Sequence, residues 1–177
     1  MSPDYDQTLR DLLLARVEES ADATAMLVKR GEWTRLSWTD VVQDAWRTAD
    51  WLVRSNVCAG DRVAQLSENR YEWVICDLAM HLIGAIHVPM HAPLTSEQAA
   101  FQIRDSGAKL VLVSTAAQAQ KLAAAGDLIP SSTRCYSFED CDVIAGGQQV
   151  ASFWDQRLPF DKDMMVHCAD SLTPESL

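Results

Sequence analysis

The chain has 177 residues, 48% hydrophobic and 23% charged, proportions that suit one globular domain and exclude a disordered or disulfide-stapled mini-protein. Its 15 basic and 25 acidic side chains give a net charge of −10, which argues against a broad basic footprint for nucleic acid or anionic lipid and leaves small molecules or proteins as partners. Five cysteines, odd in number and without a Cys-x-x-Cys pair, argue against a zinc framework or a disulfide scaffold and for a reducing cytoplasm.

The first eleven residues carry Asp4, Asp6 and Asp11 and lack the basic start and apolar stretch of an export signal. Residues 7–20 mix Leu9, Leu12, Leu13 and Ala15 with early acidic groups and predict a surface helix. Two short strands, 25–29 and 32–37, flank Arg30-Gly31 and predict a β-hairpin. Trp38, Val41, Val42, Ala45, Trp46, Ala49, Leu52 and Val53 then recur at helical spacing, behind a Ser37/Asp40 N-cap signature.

From residue 62 the chain alternates. A strand over 62–66 precedes a deeply apolar helix over 70–83, with Asn69 as its expected cap and Gly84 at its end. Residues 85–88 predict a strand stopped by Pro89, and a loop containing Pro93 leads to the Thr95/Gln98 capping box of a helix that ends at Gly107. The uncharged stretch 78–96 holds three His, two Pro and a Gly, so it divides into helix end, strand and loop and does not span a membrane. Residues 110–113 form a continuous apolar strand, Ser114 is the expected cap of an Ala-rich helix ending at Gly126, and 133–138 predicts another strand. Beyond Glu139 the pattern fades to a helical turn near 142–145, a short helix near 152–158 and a tail over 161–177. The expected architecture is a single α/β domain over 1–160, a mostly parallel sheet with helices on both faces plus the N-terminal hairpin.

Catalytic spacings are largely missing. The sequence has no Gly-x-Gly-x-x-Gly, no phosphate-binding Gly-x-x-x-x-Gly-Lys-Ser/Thr and no Gly-x-Ser-x-Gly elbow. Ser106 in Asp105-Ser106-Gly107 sits at a predicted helix end, where a structural role outweighs a nucleophilic one. His81, His87 and His91 cluster in sequence, but they fall on different elements with no carboxylate read nearby to complete a metal shell. Glu139, Asp140 and Asp142 read as a solvated loop, and Trp38, Trp46 and Trp73 as core. No catalytic residue and no metal ligand is assigned.

Six pieces in order carry a resemblance: Trp33-Thr-x-Leu36-Ser37-Trp38, Gly60-Asp61-Arg62-Val63-Ala64, Glu68-Asn69-Arg70-x-Glu72-Trp73, Gly84-Ala85-Ile-His-Val88-Pro89, Leu94-Thr95-x-Glu97-Gln98 and Ile103-x-Asp105-Ser106-Gly107-Ala108-Lys109. Together they resemble the N-terminal part of the adenylate-forming, AMP-binding superfamily, most closely its long-chain fatty acid–CoA ligases. The resemblance implies the N-terminal subdomain of that fold, in a parent enzyme that uses ATP, Mg²⁺ and coenzyme A to convert a fatty acid to its thioester through an acyl-adenylate. It also implies that the phosphate loop and the later catalytic motifs lie beyond Leu177, so the isolated chain is expected to be inactive and to have the remainder of the parent enzyme as its partner. Relatives whose loop after the Val-Pro strand borders the coenzyme A nucleotide would place His91, Ala92 and Pro93 at that edge. Apolar surface left open in such a piece favours self-association. The alternative is a free-standing α/β interaction module that kept the scaffold; a third reading is a flavodoxin-like nucleotide-binding domain.

Overall fold

Alternating apolar strands and helices build a five-stranded parallel sheet in the computed structural model, which describes residues 8–170. Helix α1 (Leu9–Ser20) leads into an antiparallel hairpin of β1 (Thr24–Arg30) and β2 (Glu32–Ser37), then α2 (Trp38–Arg54). The sheet is laid down by β3 (Arg62–Ser67), β4 (Ile86–His91), β5 (Leu110–Val113) and β6 (Arg134–Ser137), with α3 (Tyr71–Leu82), α4 (Ser96–Ser106) and α5 (Ala116–Ala125) between them. A small hairpin of β7 (Ile144–Ala145) and β8 (Gln148–Gln149) precedes β9 (Ala151–Ser152), the fifth strand, and α6 (Asp163–Asp170). The spatial order is β4-β3-β5-β6-β9, with every neighbouring pair parallel.

Strand alternation divides the core between the two faces of the sheet. Val63, Leu110 and Leu112 pack with residues of α1, α2, α3 and α6, whereas Ala64, Leu66, Val111 and Val113 pack with residues of α4 and α5. The capping boxes read from sequence are formed: Ser37 Oγ accepts from Asp40 N–H at 3.1 Å, and Thr95 Oγ1 accepts from Gln98 N–H at 3.3 Å. Gly107 ends α4 at φ +63°, where a Cβ would lie 3.1 Å from Arg62 Nη2.

Several boundaries differ from expectation. Helix α3 starts after Arg70, which makes no side-chain cap bond, so Asn69 is not its cap. Helix α5 is capped by Thr115, whose side chain accepts from Gln118 N–H, because Ser114 is engaged elsewhere. Strand β4 runs through Pro89 to His91; as the outer strand of the sheet it tolerates a residue without an N–H. Residues 144–145 form a strand, not a helical turn, and the short helix expected near 152–158 shrinks to a 3-10 turn, Trp154–Gln156.

The tail expected over 161–177 is instead a packed helix across Asp163–Asp170. Met164 and Cys168, one turn apart, are both buried, and Cys168 joins the same core cluster as Trp46 and Leu52 of α2. Residues 171–177 of that expected tail lie outside the described residues. Arg157 ties this segment down: its guanidinium is buried, donates to Thr48 Oγ1 at 3.0 Å and lies 3.4 Å from the Trp154 ring centroid. No helix among the described residues is long and apolar enough to cross a membrane, and no disulfide joins their cysteines.

Candidate functional site

In an open parallel sheet the ligand crevice lies at the carboxyl ends of the strands, where neighbouring connections leave to opposite faces. Here that point falls between β3 and β5, since α3 covers one face and α5 the other. Glu68 and Arg70 follow β3, Ser114 follows β5, and the 91–95 loop follows β4.

These residues form one network. Gln118 Nε2 donates to Glu68 Oε1 at 2.6 Å, and the buried Ser114 hydroxyl donates to Glu68 Oε2. Burial alone would raise the Glu68 pKa, but the bonds from Ser114 and Gln118 outweigh it and hold the carboxyl below its ordinary value, so it is ionised at neutral pH. Arg70 donates to Glu72 Oε2 and Glu139 Oε1, both at 2.7 Å, and to the Ser114 carbonyl at 3.0 Å. The Ala92 carbonyl accepts from Gln118 Nε2 at 3.3 Å and from Lys121 Nζ.

The arrangement holds its polar groups against one another. Ser114 has no access to solvent, and a carboxylate held in its ionised form by two donors is a weak base. Burial pushes the Cys135 thiol up to about 11 and the Cys168 thiol up to about 12, and raises Cys76 further still, which leaves each of them un-nucleophilic near neutral pH. Arg70 is already paired with Glu72 and Glu139, and Glu68 adds a further negative charge to the network.

Of the residues picked from sequence, the structure brings Ala92 into this network through its backbone, while His91 and Pro93 are exposed. Gln118 and Lys121 were missed, and Ser114 was read only as a cap. Their signal was weak: polar residues in an Ala-rich helix that reach a backbone carbonyl more than 25 positions away.

The histidines regroup. His81 Nε2 and His87 Nδ1 lie 3.6 and 2.7 Å from Asp77 Oδ1, a carboxylate that the sequence reading overlooked although it precedes His81 by one helical turn. His91 stands apart, four residues further along β4 or ~13 Å. Among the described residues no group of three or more His, Cys, Asp or Glu is arranged to hold a metal ion.

The bond from His87 outweighs partial burial and keeps the Asp77 carboxyl below its ordinary 3.8. A carboxyl depressed in this way stabilises the fold above its unfolded pKa and loses that contribution as pH falls through the lower folded value. Asp77→Asn is therefore expected to lower Tm at pH 7, and the gap to the parent chain to close as pH drops below 3.8. A gap that stays constant in a thermal-melt series across that window would remove the pair from the acid response.

Arg70 also lines a groove of about 610 Å³ between the hairpin and α3, together with Met26, Val28, Trp33, Tyr71 and Val74 among others. Trp33 and Leu27 are 67% and 60% exposed there, an apolar surface of the kind that marks an interface.

A family model described as AMP-binding enzyme matches residues 13–167. A long-chain-fatty-acid–CoA ligase of Mycobacterium bovis is 32% identical over 101 residues, which is 57% of this chain and 17% of that protein. A crotonobetaine/carnitine–CoA ligase of Citrobacter koseri is 30% identical over 110 residues, covering 61% of this chain and 21% of that protein. Among solved structures, a protein assigned as a long-chain-fatty-acid CoA ligase from Rhodopseudomonas palustris superposes with a TM-score of 0.73 at 30% identity, covering 89% of this chain and 38% of that one. The chain thus spans well under half the length of these relatives.

Proposed function

From the premise that this chain belongs to the AMP-binding enzyme family, we propose that it is the N-terminal α/β portion of an ATP-dependent fatty acid–CoA ligase and does not catalyse that reaction alone. The observation that carries this reading is the pairing of a match along nearly the whole chain with coverage of 38% of the ligase-like structure. In this reading ATP, Mg²⁺ and the adenylation step belong to the parent enzyme.

The contribution of this portion is scaffold and edge. His91, the last residue of β4, and Pro93 in the turn after it are exposed, with Ala92 anchored between them, an arrangement that suits the border of a coenzyme A channel. The remainder of the parent enzyme is the proposed partner, and the acidic charge and the odd cysteine number without a Cys-x-x-Cys pair fit a cytoplasmic location. A second reading, an interaction module, is favoured by the groove beside Trp33.

ATP–pyrophosphate exchange provides the test. The purified 177-residue chain is expected to show no exchange stimulated by a fatty acid, and stimulated exchange would overturn the scaffold reading.

A further inference from the structure

The 91–95 loop is held from behind. Within it, one backbone bond, Leu94 N–H to the His91 carbonyl at 3.1 Å, closes the turn. The Ala92 carbonyl faces α5, where Gln118 and Lys121, on one face of the helix three positions apart, both donate to it. Gln118 is in turn fixed by Glu68, and Ser114 holds the other oxygen of that carboxylate.

This network does not maximise stability. Gln118 Oε1 is buried without a hydrogen-bond partner, and Glu68 bears the desolvation of a carboxylate; apolar side chains of similar size would carry neither cost. What the network does achieve is a double anchor on the Ala92 carbonyl, between the exposed His91 and Pro93.

We propose that Gln118 and Lys121 are positioning residues that set the 91–95 loop in the conformation that borders the coenzyme A nucleotide, with Glu68 and Ser114 setting Gln118. The proposal rests on the reading of that loop as a channel edge. Without the two donors the turn samples other conformations, and ligand affinity falls by the fraction of chains that retain the competent one.

Two readouts on the ¹⁵N-labelled 177-residue chain test it: hydrogen exchange of the Leu94 amide and titration with coenzyme A. Lys121→Met and Gln118→Leu are each expected to speed Leu94 exchange and weaken coenzyme A binding, both by about tenfold, while exchange in β5 stays unchanged. Lys121→Arg, which keeps a cationic donor, is expected to restore both. Leu94 exchange and coenzyme A affinity equal to those of the parent chain in both variants would overturn the proposal. If the parent chain shows no coenzyme A-dependent shift at His91 or Ala92, the channel-edge reading fails on its own, and Leu94 exchange in the variants still decides whether α5 sets the loop.

Discussion

Phe153→Ala is expected to destabilise the chain by about 3–5 kcal/mol, the range for deleting a fully buried aromatic ring. For a chain of this size that corresponds to a Tm lower by roughly 6–20 °C. Phe153 has no exposed surface, and its ring centroid lies 4.3 Å from that of Trp51, 5.7 Å from Phe138 and 5.9 Å from Trp154. It therefore joins α2, the end of β6 and the segment after β9, three stretches far apart in sequence. Its backbone N–H also donates to the Ser137 carbonyl at 3.0 Å, closing the pairing of β9 with β6. Leu158→Ala, a few positions on and 48% exposed, serves as the control and is expected to change stability little. Denaturant unfolding of the two variants decides the matter. A loss for Phe153→Ala no larger than that of the control would make everything after β6 an appendage.

That result bears on how far the fold was legible in the sequence. The parts that could be read are those governed by local chemistry. The Ser37/Asp40 and Thr95/Gln98 boxes close within a single turn, and the apolar stripe of α2 repeats often enough to show its period. The α/β class follows from those elements alone. The stretch after Glu139 was opaque because its order comes from distant partners: β9 has two residues and no period to display, Arg157 bonds to Thr48 across 109 positions, and α6 packs on α2. Pro89 misled for a related reason, since whether it stops a strand depends on that strand lying at the sheet edge. The 91–95 loop was picked out by resemblance, whereas its anchors, Gln118 and Lys121, act on a backbone carbonyl and leave no residue pair to match.

Gln65→Leu is expected to do the opposite of most core substitutions and raise stability by about 2–4 kcal/mol. Gln65 sits in the middle of β3, between Pro89 of β4 and Leu112 of β5, with no exposed surface. Neither its Oε1 nor its Nε2 has a hydrogen-bond partner among the described residues. Each such group costs about 1–3 kcal/mol relative to water, and leucine, of similar volume, removes both on a face already lined by Val63 and Leu112. The comparison with Gln118 explains why one buried amide is dispensable and the other is not. Gln118 Nε2 serves Glu68 and Ala92, so its removal takes one of two donors from a carboxylate and from a carbonyl, whereas removing Gln65 takes a partner from nothing. Thermal melts of Gln65→Leu measure the difference directly. An unchanged or lower Tm would mean that a trapped water satisfies the amide, and that the centre of the sheet is polar by construction.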